Sequence, residues 1–113
     1  MAITNSAIQA HSFLADMYAD DFFPNGCVEQ VKQVLLGLCE SIEREQPTNL
    51  DALYQLANTA TKKINDLQEA FVNNDSDLEL AARESMSADF AHIATAYGFE
   101  TADTEAMITP RTW

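Results

Sequence analysis

The chain has 113 residues and carries 18 Asp and Glu against 6 Lys and Arg, a formal net charge of −12. That length supplies one modest core and excludes two domains, and a hydrophobic content of 47% excludes a disordered acidic tail. Only 3 Gly and 3 Pro argue against a many-turned β domain, and the acid excess argues against direct binding of nucleic acid or anionic lipid, which relies on Lys and Arg to neutralise phosphate.

Ile8, Phe13, Leu14 and Met17 lie at helical spacing and predict a first helix from about Asn5 to Met17. It stops before Asp20-Asp21-Phe22-Phe23-Pro24-Asn25-Gly26, where a proline and an Asn-Gly pair mark a loop. A second helix runs from Cys27 to Glu45, with Val28, Val31, Leu35, Leu38, Cys39 and Ile42 on one face, and Pro47 ends it. Thr48 with Asp51 three residues on resembles a capping box that opens a third helix. Leu50, Leu53, Tyr54, Ala57, Ala60, Ile64, Leu67 and Phe71 form its apolar face, and Asn73-Asn74-Asp75 breaks it.

Ser76 and Glu79 make a full Ser-x-x-Glu box ahead of a fourth helix, whose stripe is Leu78, Ala82, Met86, Phe90, Ile93 and Tyr97. Gly98 is the residue type that closes a helix in left-handed conformation. The third and fourth helices read as an αα-hairpin, and the tail holds one more turn between Ala102 and Ile108. The expected fold is all-α: a single domain over 1–113, an antiparallel bundle of about four helices with a short C-terminal helical turn.

The first basic residue is Lys32 and no apolar run approaches 18 residues, so neither a signal peptide nor a membrane span is expected. A cytosolic, soluble protein is expected. Cys27 and Cys39, on one helix, would be about 18 Å apart and therefore free thiols.

Chemistry fails on counting. Asp89-x-x-His92 is a lone Asp/His pair, with His11 far off in sequence, where a di-iron bundle needs two Glu-x-x-His pairs and two further Glu. Asp75-Ser76-Asp77-Leu78-Glu79 begins like an EF-hand loop, but Leu80 occupies the required glycine position and Met86 that of the bidentate glutamate. No catalytic residue, metal or cofactor is expected, and the chain is not read as an enzyme. The remaining test of catalysis is whether Asp89, His92 and a third polar group converge in a pocket.

Charge placement is more informative. Asp51, Asp77 and Glu79 fall in predicted first turns, where the helix dipole favours them. Asp16, Glu40, Glu43, Glu45, Asp66 and Glu69 fall near predicted helix C-termini, where each exposed carboxylate costs roughly 0.3–1 kcal/mol. Antiparallel helices collect Asp16, Asp20, Asp21, Glu29, Asp66, Glu69, Asp75, Asp77 and Glu79 at one pole. Glu40, Glu43, Glu45 and Asp51 gather at the other, with Glu100, Asp103 and Glu105 nearby. Acids kept against their effect on folding point to a cationic partner.

Met17-Tyr18 with Phe22-Phe23-Pro24, Leu53-Tyr54-x-Leu56, Ala81-Ala82-Arg83-Glu84, Asp89-Phe90, Tyr97-Gly98-Phe99 and Pro110-Arg111-x-Trp113 resemble an uncharacterised family of small helical bacterial proteins. In size and acidity the chain also resembles the small bacterial DNA-mimic proteins, among them one that binds the histone-like nucleoid protein HU. That likeness implies a monomer, nucleoid-associated through its partner, that presents carboxylates in place of phosphates on the DNA-binding surface of a basic HU-like protein. The contact residues expected from charge are Asp16, Asp20, Asp21, Glu29, Glu40, Glu43, Glu45, Asp66, Glu69, Asp75, Asp77 and Glu79. The alternative is an immunity-type inhibitor that covers a basic toxin or nuclease, since both functions target cationic surfaces.

Overall fold

A computed structural model describes residues 3–113; the first two residues of the expected domain lie outside the described residues. Six helices follow in order: α1 Ser6–Gln9, α2 Ala15–Ala19, α3 Asn25–Glu45, α4 Leu50–Val72, α5 Leu80–Ala96 and α6 Thr104–Met107. The all-α fold expected from periodicity is present, built on three long helices and three short ones. Its principal extents are 41 × 27 × 23 Å.

The predicted first helix is two single-turn helices. Asn5 caps α1 by accepting hydrogen bonds from the N–H groups of Ala7 and Ile8, and the chain then turns through His11–Leu14 into α2. The turn buries the adjacent side chains of Phe13 and Leu14 together, at 4% and 1% exposure, which a continuous helix would aim about 100° apart. Leu14 sits at φ +56°, a left-handed conformation costing roughly 1–2 kcal/mol for an L-residue. Full burial of a leucine contributes roughly 1.5–3 kcal/mol, so packing outweighs the local strain.

α3 begins two residues earlier than expected, since Asn25 and Gly26 enter its first turn after Pro24, whose carbonyl accepts from the N–H groups of Cys27 and Val28. The cap of α4 is Asn49, not Thr48: its side chain accepts from Ala52 N–H at 2.8 Å. The Ser76–Glu79 box does not form. Ser76 is buried, and its N–H donates to the carbonyl of Phe71 at 2.9 Å while that of Asp75 donates to Val72 at 3.1 Å. These bonds close α4 with Asp75 left-handed at φ +60°. The chain is thus committed to ending α4 where it was expected to start the next helix. α5 starts only at Leu80, with no side-chain cap from Glu79.

Gly98, at φ +86°, closes α5 as expected: its N–H donates to Thr95 and that of Phe99 donates to Ala94. The antiparallel hairpin is α3 with α4, whereas α5 lies closest to α1, α2, α3 and α6, which corrects the expected pairing of the third and fourth helices. The three faces meet in one core, in which Val28, Leu35, Leu53, Ile64, Phe71, Met86, Phe90 and Ile93 are fully buried.

A polar edge on α4 holds the C-terminal segment. Tyr54, Asn58, Thr61, Asn65 and Gln68 recur at intervals of four and three and so share one side of the helix. The Tyr54 hydroxyl accepts from Asp103 N–H at 2.9 Å, and the Asn58 amide donates to the carbonyls of Ala106 and Met107, both at 3.0 Å. Thr61 donates to Met107 at 3.1 Å, and Asn65 both donates to Pro110 and accepts from Thr112. The expected tail turn becomes α6, and Trp113 is buried at 6% exposure.

Candidate functional site

Antiparallel packing brings the start of α3 beside the end of α4. Cys27 Sγ lies 3.7 Å from the Ala70 carbonyl and 3.8 Å from Asn74 Nδ2, and the rings of Phe23 and Phe71 stand edge to face with centroids 6.5 Å apart. The α2–α3 loop with Asp20 and Asp21 therefore shares one end of the molecule with the α4–α5 connection, which carries Asp75, Asp77 and Glu79. The connection folds back along α4, where Gln68 Nε2 reaches Asp77 Oδ1 at 3.4 Å.

Among the described residues no salt bridge reaches the acids of this end. No Lys or Arg occurs before Lys32 or between Lys63 and Arg83. Of the 18 acidic residues, all but Glu40, Glu43 and Asp89 are exposed. Among the described residues only Glu45, 3.6 Å from Arg44, and Glu105, 3.1 Å from Arg111, pair with an arginine. Glu45 closes α3 at the opposite end and Glu105 lies in α6.

Several acids have local roles. Glu43 is committed internally: it accepts from Thr4 N–H and hydroxyl, both at 2.9 Å, from Asn5 N–H at 3.2 Å and from the Tyr97 hydroxyl. The Tyr97 bond, with those from Thr4 and Asn5, lowers its pKa to about 2 against the opposing effect of burial. Its position near a helix C-terminus thus has a structural reason, contrary to the reading that it is kept for a partner. Asp16 lies in the first turn of α2, where a carboxylate suits the dipole, so it is not at an unfavourable helix end. Asp77 and Glu79 precede α5 instead of lying in its first turn. Glu29 accepts from Tyr18 at 2.6 Å and Gln33 at 2.9 Å while staying exposed. The Tyr18 bond lowers the Glu29 pKa, and burial followed by that bond raises Tyr18 to about 12.

The test of convergence gives an arrangement the sequence does not disclose. Asp89, buried at 5% exposure, accepts from Leu14 N–H at 2.8 Å through Oδ2, and its Oδ1 lies 2.7 Å from Nε2 of His11. His92 stacks on His11 with centroids 3.9 Å apart. A cavity of about 350 Å³ borders this group, lined by His11, Ser12, Asp16, Glu84, Ser85 and Asp89 among others. His11 is therefore related to the Asp89/His92 pair despite 78 residues of separation. Sequence periodicity has no means of revealing a contact that depends on the turn between α1 and α2.

Chemically the group is a clamp. Both Asp89 oxygens are occupied, which stabilises the left-handed turn at Leu14 and ties α2 to α5. Neither Ser12 nor Ser85, which line the cavity, hydrogen-bonds to His11 among the described residues. No group of three His, Cys, Asp or Glu side chains among the described residues is placed to hold a metal ion. Cys27 and Cys39 are buried free thiols, and burial pushes Cys39 up to about 12, which keeps it protonated.

No helix of the described residues is long and apolar enough to cross a membrane. Neither the curated proteins nor the solved structures contain a match to this chain. A family model described as a family of unknown function, DUF5713, matches residues 7–113, and the chain belongs to that family.

Proposed function

We propose that the protein is a DNA mimic whose acidic end occupies the DNA-binding surface of a basic protein, with an HU-like nucleoid protein as the partner. The observation that carries this reading is the joining of two acid-rich, cation-free segments at one end of a small helical scaffold, with their carboxylates exposed. A surface that binds duplex DNA meets one negative charge per roughly 1.7 Å of axis, and it accepts other anionic arrays that offer charge-assisted hydrogen bonds.

Displacement of fluorescent duplex DNA from purified HU tests the reading. The native protein displaces the duplex, and does so less as salt rises. The quadruple variant Asp20→Asn, Asp21→Asn, Asp75→Asn and Asp77→Asn displaces it far less. Amides keep the acceptor oxygens that Asp20 offers to Phe22 N–H and Asp77 to Leu78 N–H, and Asn tolerates the left-handed backbone at position 75. The fold is thus retained while charge is removed. Equal displacement by the native protein and the variant refutes the assignment of this end.

A second reading, inhibition of a basic toxin or nuclease, is favoured by one feature that duplex DNA lacks. Phe22, Val72 and Leu80 are exposed beside the acids, at 40%, 53% and 60%. One tight partner that duplex DNA does not displace would support inhibition over mimicry.

A further inference from the structure

Phe22, Val72 and Leu80 are the large apolar side chains that stand exposed among the described residues. Single exposed apolar residues are ordinary, but Phe22 and Val72 adjoin the Phe23–Phe71 ring contact, and Leu80 opens α5 at the end of the acidic connection that leaves Val72. Each also neighbours a buried anchor: Phe22 precedes Phe23, Val72 follows Phe71, and Leu80 lies two residues past Leu78, with the three anchors at 2%, 0% and 3% exposure.

Their backbone is held in place. Asp20 accepts from Phe22 N–H at 2.9 Å through its side chain and from Phe23 N–H at 3.0 Å through its carbonyl. The Phe22 ring rests edge to face on Phe23, with centroids 5.1 Å apart. The Asp75 and Ser76 N–H groups close the turn after Val72, and Asp77 accepts from Leu78 N–H at 2.8 Å. Side chains presented from a fixed backbone lose less entropy when a partner covers them.

We propose that this end is a mixed docking face, in which Phe22, Val72 and Leu80 bind an apolar patch that the partner surrounds with Lys and Arg. The inference rests on the proposal that a basic protein is the partner, and adds that contact is not by charge alone. Charge complementarity chooses the occupant: Asp20 and Asp21 flank Phe22, while Asp75, Asp77 and Glu79 lie between Val72 and Leu80. The nearest cation in sequence, Arg83, is half-buried in the first turn of α5. Exposed carboxylates act over about 8 Å at physiological salt and chiefly accelerate and orient encounter. Desolvated apolar contacts slow dissociation.

The test uses the full chain, an amphipathic Leu/Lys helical peptide and an all-Lys peptide of equal charge. The Leu/Lys peptide is expected to bind more tightly and to shift the amide resonances around Phe22, Val72 and Leu80. Phe22→Ser with Leu80→Ser is expected to weaken that binding by roughly tenfold for each side chain and to leave binding of the all-Lys peptide unchanged. Val72→Asn, at the exposed last residue of α4, gives an independent variant should the double change unfold the chain. Equal affinity for both peptides, or resonance shifts confined to another surface, overturns the inference. If native protein binds HU and the double variant binds HU and the Leu/Lys peptide equally well, the mixed face is overturned and charge mimicry stands. If HU is not bound while the Leu/Lys peptide behaves as expected, the mixed face stands and HU is the wrong basic partner.

Discussion

The N–H of Leu14 donates to Oδ2 of Asp89 at 2.8 Å across 75 residues of sequence. This bond attaches a backbone group that has left the helical conformation, with Leu14 at φ +56°, to the middle of α5. The other oxygen of the same carboxylate faces His11 Nε2.

Replacement of Asp89 by alanine strands a buried N–H and removes the His11 partner. Unsatisfied buried groups cost about 1–3 kcal/mol, and bonds to charged groups are at the upper end of that scale. The expected loss is roughly 2–3 kcal/mol by urea unfolding, with Asp89→Asn losing less because its amide oxygen still accepts from Leu14. Equal stability of the native and alanine proteins would show that the turn does not depend on this carboxylate.

Glu43 and Tyr97 predict the acid limb of the stability profile. The Glu43 pKa is lowered to about 2, chiefly by the Tyr97 hydroxyl, from an unfolded value of about 4.3. A lowered carboxylate contributes stability that is fully present above the unfolded value and is lost as pH falls towards the folded one. Tyr97→Phe removes the strongest donor, so the loss between about pH 4.5 and 2 shrinks, as denaturation midpoints across pH will reveal. Tyr97 itself is raised, first by burial and then by Glu43, so its contribution is fully present below about pH 10 and is lost progressively as pH rises from there towards the higher folded value. An unchanged acid limb in the variant would assign that loss to other carboxylates.

Gln46 and Asp75 hold left-handed backbone at φ +49° and +60°, both exposed just past helix ends. Glycine removes the steric cost of that conformation. Gln46→Gly is expected to gain roughly 0.5–1 kcal/mol, whereas Gln46→Ala gains nothing. Asp75→Gly is expected to gain similarly in thermal unfolding while weakening attachment of a basic partner. A fall in melting temperature at both sites would contradict the assignment of strain.

Much of the fold is legible in the chain because burial repeats with the helix. Leu53, Ala57, Ala60 and Ile64, like Ala82, Met86, Phe90 and Ile93, announce their faces and are buried there. The edge formed by Tyr54, Asn58, Thr61, Asn65 and Gln68 has the same spacing, but polar side chains disclose no partner. Theirs lie 44 to 49 residues away in the C-terminal segment. At Ser76 the local pattern misleads for a related reason. The Ser-x-x-Glu pattern describes a local preference, and the closing turn of α4 uses the same residues in another way.

The candidate site divides similarly. The amount of charge is a sum over residues, so the sequence alone determines a net −12. Which carboxylates remain open depends on distance, and only the tertiary structure decides that. It closes Glu43 against Thr4, Asn5 and Tyr97 and buries Asp89 against Leu14 and His11. It also brings Asp20, Asp21, Asp75 and Asp77 to one end of the fold, where no arginine pairs with them among the described residues. Hydrogen bonds and ion pairs act over a few ångströms, and the segments that meet at this end are separated by the full length of the α3–α4 hairpin.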